Sequence, residues 1–302
     1  MNNNILNEEK ELERGIWFAD NPDEEIIEPI IFEEYQFPKY QVPVIETKSE
    51  RVGESLPNKS GTQMTILGYR TCDDITINFL NRLSDGQYRS YIKHHQTYRN
   101  FKKRELKSPY DCTCCGVGYL GVGPYSKTDN KKFYSHWSNM MTRCYNEKSW
   151  ETRPGHRGCT VHPCFQNFQN FCYWCEKNYY EVEGEIMDLD KDIMHYGNKV
   201  YGPTTCMFVP QSINKLFIRD RSAEKICTPV GVHVTDNGRY SVNCNIRKNI
   251  NYVGTFDDPM EAFRAYKEVK EKEIKRVAEE YKGRIPQLLY DILINYEINP
   301  RR

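Results

Sequence analysis

The chain has 302 residues, enough for two or three domains, and its 42 basic and 42 acidic side chains cancel. Only 38% of the residues are hydrophobic but 13% are aromatic, which favours several small aromatic-rich cores over one large aliphatic core. No run approaches the ~18 apolar residues of a membrane span, and the polar, acidic first ten residues do not resemble a secretory signal. We therefore expect a cytoplasmic protein with no membrane partner, whose 12 cysteines are reduced thiols.

The balanced charge hides an uneven distribution. Residues 1–52 hold 13 acidic and 5 basic side chains, so this segment carries −8 and the remainder carries +8. Four prolines interrupt the segment, which predicts an acidic, mostly disordered arm over residues 1–52. A basic body is typical of proteins that bind nucleic acids, and the arm is either a solvated tail or a segment that mimics DNA or recruits a partner.

Residues 53–123 have the pattern of a small β module. Two runs, "QMTILGYR" and "DITINFLN", alternate along the chain as strands do, and Asp85-Gly86 predicts a turn. A basic and aromatic stretch follows, which suits phosphate contacts unless it is simply a solvated turn. Its cations are Lys93, Arg99, Lys102, Lys103, Arg104 and Lys107. The glycines between 116 and 123 do not lead directly into a helix or a GK[ST] motif, so we predict no nucleotide site there.

Residues 130–222 show two helical stripes followed by a hairpin pattern. The first stripe runs from Phe133 to Cys144 and the second from Phe165 to Tyr179, and both are typical of a core. A hairpin is expected between Leu189 and Pro210, with a turn at Gly197-Asn198. A short helix is expected from Gln211 onward.

Residues 227–283 predict three strands and a long helix. The strands are expected at Val230–Val234, Arg239–Arg247 and Asn251–Phe256, with a hairpin turn at Asn237-Gly238. Asp257 or Asp258 should cap the helix, with Pro259 in its first turn. A shorter helix is expected within residues 284–302.

Strand alternation divides the side chains of the predicted sheet between two faces. The residues at 240, 242, 244 and 246 should pack on the helix, and the polar residues between them should point outward. The candidate DNA-binding residues of the outer face are His233, Arg239, Asn243, Asn245, Arg247 and Tyr252. Arg can pair with guanine and Asn with adenine, and a small sheet fits the major groove. The alternative is an ordinary polar sheet face.

The sequence "GVHVTDNGRYSVNCNIRKNINYVGTFDDPMEAFRAY" resembles the plant ethylene-response-factor (Apetala-two) DNA-binding domain. The resemblance is carried by the Gly231-Val232 start, the Gly238 turn, "YVGTF" and "EAFRAY". It implies that the sheet face reads double-stranded DNA, with family contact positions at His233, Asn243, Asn245 and Tyr252. Versions of this domain also occur in mobile-element endonucleases.

A second resemblance covers about Trp137 to Asn214. The elements "WSNMMTRCYN", "GCTV", "FQNFCYWC" and "LDKDIMHYGNKVYGPTTCMFVPQSIN" are similar to phage-encoded HNH-type endonucleases. The resemblance implies a ββα-metal domain, in which a hairpin and a helix hold one divalent cation, Mg²⁺ or Mn²⁺, for hydrolysis of DNA. Residues 53–123 resemble small repeated units attached to the same kind of phage protein.

The HNH resemblance assigns candidate catalytic residues. Asp190 matches the metal-binding Asp, Asn214 matches the last motif position and is the second metal ligand, and Lys191 occupies the place of the proton-abstracting His. A Lys of ordinary pKa, about 10.4, stays protonated at neutral pH and cannot act as a base, although its charge would attract phosphate. Asp192 and His195 are the alternative bases.

The cysteines permit a second metal hypothesis. Cys159, Cys164, Cys172 and Cys175 have the spacing C-x4-C-x7-C-x2-C, and four thiolates would suit Zn²⁺. Cys172 and Cys175 also belong to a helical core stripe, so the alternative is that they are buried as small apolar residues.

The sequence therefore predicts an α+β protein of several small domains that binds double-stranded DNA. The leading hypothesis is a phage or mobile-element protein of the HNH homing-endonuclease type. One alternative is a regulator of transcription or replication that retains an inactive nuclease fold. Another is a protein-interaction adaptor that uses the acidic arm.

Overall fold

A computed structural model of the chain describes residues 49–217, 228–246 and 249–300. The chain divides between residues 40 and 41, and the described residues all belong to the second unit, Gln41–Arg302. Helices and several small sheets make this part α+β, as predicted. The predicted arm, apart from its last four residues, and Arg247 lie outside the described residues. Within those ranges, every helix is too short or too polar to cross a membrane.

The first sheet is an antiparallel meander of four strands in sequence order. It comprises β1 (Ser55–Pro57), β2 (Gln63–Thr71), β3 (Asp74–Arg82) and β4 (Tyr88–Gln96), and α1 (Tyr98–Lys102) follows. Ile66 of β2 pairs with Ile77 of β3, and both are fully buried in one cluster with Phe101 of α1. The two predicted strands are confirmed, because alternation places one row of apolar side chains beneath α1.

The buried carboxylate of Asp111 holds the end of this first module against its sheet. Asp111 is only 3% exposed, and its oxygens accept hydrogen bonds from the side chains of Asn58, Thr62 and Asn81 at 2.6–3.2 Å. The backbone N–H of Ser108 adds another at 3.0 Å. Because these donors are themselves buried, Asp111 ties the end of the module to β2 and β3.

The glycine-rich loop after Asp111 packs against the middle domain. A Cβ atom on Gly121, which has a φ of +71°, would lie 2.2 Å from Oδ1 of Asn167. The backbone of Tyr119 receives an N–H bond from Phe168 and donates one to the carbonyl of Gln166. Close approach of two backbones explains this loop without any bound phosphate.

The middle domain is built on consecutive short helices. They are α2 (Lys131–Tyr145), α3 (Glu147–Thr152), a 3-10 turn (Pro154–His156), α4 (Pro163–Gln166) and α5 (Phe168–Asn178). The predicted stripe on α2 is confirmed, with Trp137, Met141 and Cys144 buried. The second predicted helix is broken at Asn167, whose side chain caps α5 by accepting from the N–H of Gln169.

Two small strand pairs complete this domain. β6 (Met187–Asp190) pairs antiparallel with β8 (Met207–Pro210), and α6 (Gln211–Asn214) follows directly, as predicted. β7 (Val200–Tyr201) pairs with β5 (Thr160–Val161) in parallel, which sequence patterning did not indicate. Residues 191–199 form the loop between β6 and β7.

The C-terminal module is a three-stranded antiparallel sheet packed on one long helix. Its strands are β9 (Val232–Val234), β10 (Tyr240–Ile246) and β11 (Asn249–Phe256), with β10 in the centre. Asp258 caps α7 (Pro259–Glu280) through two backbone N–H groups, with Pro259 at its first position, as predicted. Gly231, at φ +75°, lets the chain pass so close to Tyr266 that a Cβ would lie 2.3 Å from the ring.

The end of the chain returns across α7. After α8 (Gln287–Ile294), Ile298 enters the core between the sheet and α7, where it is 7% exposed. Its carbonyl accepts a bond from Lys267 Nζ, and its N–H donates to Glu271. The sequence indicated α8 but not this return of Ile298 to the core, because a single apolar residue in a polar tail forms no periodic pattern.

Substituting Asp111 with Ala should lower the free energy of unfolding by about 3 kcal/mol, because several buried donors lose their acceptor. Denaturant unfolding of both proteins measures the difference. Asp73→Ala, which removes an exposed carboxylate from the β2–β3 turn of the same module, should change it by less than about 0.5 kcal/mol. Equal effects of the two substitutions would contradict the structural role of Asp111.

Candidate nucleic-acid interface

The central strand of the C-terminal sheet separates its side chains as the sequence predicts. Val242 and Cys244 are buried, at 0% and 1% exposure, and Val242 packs in one cluster with Phe263 of α7. Asn243 and Asn245 are exposed on the opposite face. Because α7 covers only the first face, the polar row of β10 is left to solvent.

Cross-strand pairing extends this polar row into a surface. Asn243 lies opposite Tyr252 of β11, and Ser241 lies opposite both Thr255 and His233. Directly opposed residues share a face, so these side chains form one outer surface, which we call the sheet face. It comprises His233, Ser241, Asn243, Asn245, Ile250, Tyr252 and Thr255.

Two of the most exposed apolar side chains of the described residues lie on the sheet face. Tyr252 is 68% exposed and its hydroxyl bonds the hydroxyl of Thr255 at 2.8 Å. Ile250 is 79% exposed and pairs with Asn245. Ile250 was not among the predicted residues, although its place opposite Asn245 follows from the hairpin register. An exposed apolar pair beside amide side chains is a feature of recognition surfaces.

Arg239 lies at the end of the sheet face, and its guanidinium is already hydrogen-bonded within the chain. Its Nε donates to Oδ1 of Asp257 at 2.6 Å, and Nη2 donates to the carbonyl of Thr255 at 3.5 Å. Asp257 therefore places a carboxylate at this corner of the sheet. Both charged side chains are largely exposed, so the pair contributes little to stability and mainly orients the guanidinium.

Four of the predicted catalytic residues lie at the end of β6 and in the loop after it, and the fifth, Asn214, ends α6. Oδ1 of Asp190 accepts the backbone N–H groups of Asp192 and Ile193, at 2.8 and 2.7 Å. Burial raises the pKa of Asp190, and the two N–H donors oppose that shift. This carboxylate therefore caps the turn that begins the loop. His195, the alternative base, is exposed, and its carbonyl accepts the N–H of Asn198.

Lys191 is buried, with only 4% of its side chain exposed. Its Nζ donates to Oδ1 of Asp192 at 2.6 Å and to the carbonyl of Asn198 at 2.5 Å. The ammonium is therefore enclosed and bonded within the loop, which does not favour the predicted attraction of phosphate by its charge. Asp192, the other alternative base, forms an ion pair with Lys191.

Asp190 and Asn214, the predicted metal pair, each have a different hydrogen-bond partner. Nδ2 of Asn214 instead donates to Oδ2 of Asp188, at 3.2 Å. Asp188 precedes Asp190 by two residues on the same face of β6, a separation of about 7 Å along the strand. The amide nitrogen of Asn214 thus binds Asp188, and Oδ1 of Asp190 binds two backbone N–H groups, so neither residue has the contacts expected of a pair of metal ligands.

The four cysteines do not form a zinc site either. Within residues 49–217, 228–246 and 249–300, no three His, Cys, Asp or Glu side chains are grouped closely enough to hold a metal ion. Burial raises the pKa of Cys159, Cys172 and Cys175, so their thiols remain protonated at neutral pH. Cys172 and Cys175 are fully buried core residues, and Cys164 is half-buried on α4.

A cluster that the sequence did not indicate lies behind the 191–199 loop. The ring of Tyr201 has His156 at 6.5 Å between ring centroids and the Lys191 ammonium at 5.8 Å. Burial lowers the pKa of His156 to about 4, and the charges of Arg143 and Lys191 act in the same direction. His156 comes from the 3-10 turn and Arg143 from α2, so no local spacing could have joined them.

The basic stretch of the first module is partly neutralised. Lys102 pairs with Glu54 at 2.8 Å, and the hydroxyl of Tyr98 also donates to that carboxylate, at 3.0 Å. Arg99, Lys103, Arg104 and Lys107 are exposed, and Lys93 is half-buried on β4. These exposed cations are consistent with the predicted phosphate contacts but form no enclosed site.

No protein-family model matches the chain, and neither the curated proteins nor the solved structures contain a match. The resemblances to the ethylene-response-factor and HNH families therefore rest on the sequence motifs alone. The candidate interface must be judged from its own geometry.

The pKa of His156 generates a prediction for stability. It falls from 6.5 to about 4 on folding, so between these values the unfolded chain binds more protons than the folded chain. Stability should therefore fall as pH drops from about 6.5 towards 4. His156→Gln should flatten this part of the dependence of Tm on pH, measured by thermal unfolding. The exposed His195 offers a control, since His195→Gln should leave the curve unchanged; parallel curves for both variants would refute the assignment.

Proposed function

We propose that this protein binds double-stranded DNA through the sheet face. The observation that carries the proposal is the exposure of Asn243, Asn245 and Tyr252 on one surface, while α7 fills the other side of the sheet. A three-stranded sheet of this width can enter a major groove without rearrangement of its backbone. The resemblance to the ethylene-response-factor family points to the same surface.

The chemistry of the sheet face favours contacts to base edges. Each Asn side chain can pair with the N6 and N7 positions of adenine, and an exposed apolar side chain such as Ile250 can contact a thymine methyl group. Arg239, oriented by Asp257, lies at the edge of the face, where phosphates or a guanine would come within its reach. The net charge of +8 outside residues 1–52 supplies attraction that does not depend on sequence.

Replacing both Asn243 and Asn245 with Ala should weaken binding to the preferred duplex by about 10- to 100-fold, because two pairs of base contacts are lost. The preferred duplex would first be selected from random sequences, and affinity measured by fluorescence anisotropy at fixed salt. The thermal stability of the variant should stay unchanged, since both side chains are exposed. Asn295→Ala, at the exposed end of α8, is the control. Full affinity in the double variant would refute the proposed surface.

Replacing Asp257 with Asn should tighten binding by about two- to threefold at low salt, because a negative charge near the phosphates is removed. The gain should shrink as salt is raised, which a salt titration of the dissociation constant measures. Weaker binding at every salt concentration would mean that Asp257 is needed to hold Arg239 in position, which contradicts a purely electrostatic effect.

For the middle domain we propose a role in binding without cleavage. The support is that Lys191 is enclosed, Asp190 caps a turn and Asn214 donates to Asp188, so these predicted residues are used in contacts within the domain. The protein would then be a DNA-binding regulator of the phage or mobile-element type. A homing endonuclease of the HNH type is the alternative, and an adaptor that uses the acidic arm is the third class.

Plasmid DNA incubated with the protein and Mg²⁺ or Mn²⁺ should remain supercoiled, as judged by gel electrophoresis. Asp190→Ala should behave like the wild type in the same assay. Nicking by the wild type that disappears in Asp190→Ala would establish the endonuclease instead. Absence of duplex binding at low salt would leave the adaptor class.

A further inference from the structure

The loop between β6 and β7 contains a buried positive charge, the ammonium of Lys191. The side chain of Lys191 is 4% exposed, a rare situation for Lys unless its charge is compensated. Compensation comes from Oδ1 of Asp192 at 2.6 Å and the carbonyl of Asn198 at 2.5 Å, with the ring of Tyr201 beside the ammonium. The ammonium is thus held by oxygen acceptors and an aromatic face.

Lys191 and Asn198 close the loop reciprocally. Nδ2 of Asn198 donates to the carbonyl of Lys191 at 3.0 Å, while Nζ of Lys191 donates to the carbonyl of Asn198. Asn198 also bonds both the N–H and the carbonyl of Val200, which begins β7. The two residues therefore define both ends of the loop, and the cation forms part of that closure.

One oxygen of each of the two carboxylates nearest Lys191 in the sequence already has a partner. Oδ1 of Asp190 accepts two backbone N–H groups, and Oδ1 of Asp192 accepts the ammonium. Asn214 is directed to Asp188, two residues before Asp190. A metal bound through those two oxygens would have to displace bonds that keep the loop in place.

We propose that Lys191 is the structural cation of the middle domain and supplies the positive charge that a divalent metal would otherwise supply. It stabilises the 191–199 loop permanently, so the domain reaches its folded state without a metal and gains nothing when one is added. This inference rests on the contacts within the loop and is independent of DNA binding by the sheet face.

Thermal unfolding of the full-length chain tests the inference. The Tm of the wild type should agree within about 1 °C in EDTA, in 10 mM Mg²⁺ and in 1 mM Mn²⁺ at matched ionic strength, because only a bound metal would raise it. Lys191→Met should lower the Tm by roughly 5–10 °C, since it leaves the carbonyl of Asn198 and the carboxylate of Asp192 without their donor. Lys199→Met removes an exposed lysine of the same loop, bonded to the carbonyl of Gly155, and should lower it by less than about 2 °C.

A second measurement protects the test against a variant that fails to fold. Calorimetric titration of the wild type with Mn²⁺ requires no substitution and should detect no binding. Saturable binding of Mn²⁺ that is lost in Asp190→Ala would overturn the proposal, as would a Tm of Lys191→Met equal to that of the wild type. DNA affinity measured in EDTA reports on the sheet face separately, so failure of one proposal is distinguishable from failure of the other.

Discussion

Packing of the central strand of the C-terminal sheet on one long helix determines what the rest of that module can do. Val242 and Cys244 are held against α7, and this fixes the register of the whole strand. A shift of one residue would bury Asn243 and expose Val242, at a cost of several kcal/mol for the unpaired amides and the lost apolar burial. The outward direction of Asn243 and Asn245 is therefore a consequence of the core. The surface keeps its arrangement before any partner binds, which reduces the entropy lost on association.

In the middle domain, the polar side chains of the 191–199 loop and its neighbour Asp190 stabilise the backbone of that loop. Lys191, Asp192 and Asn198 satisfy one another within a single loop, and Asp190 is used to cap a turn. Such a network is stable only because each buried donor has an acceptor. A domain organised in this way positions its surface rigidly, which suits a binding role beside the sheet face. The bond from the Tyr281 hydroxyl, at the end of α7, to Glu185 connects the two parts.

Sequence patterning predicted the elements whose period is set by one buried face. The strands β2, β3 and β10 and the helices α2 and α7 were found because their apolar residues recur at 2.0 or 3.6 positions. Patterning failed where contacts join distant segments. The Asp111 network, the return of Ile298 to the core and the grouping of His156 with Tyr201 each link residues without a shared period. The pairing of Asn214 with Asp188 rather than Asp190 was also missed, because motif position does not determine which carboxylate an amide reaches.

Hydrogen–deuterium exchange with and without the selected duplex tests the sheet face most directly. Bound DNA should slow exchange in the peptides that cover β10 and β11, and the protection should weaken as salt is raised. Peptides from the inner side, along α7 beneath the sheet, should change little. Protection confined to β4 and α1, with exchange in β10 and β11 unchanged by DNA that is demonstrably bound, would contradict the account and move the interface to the first module.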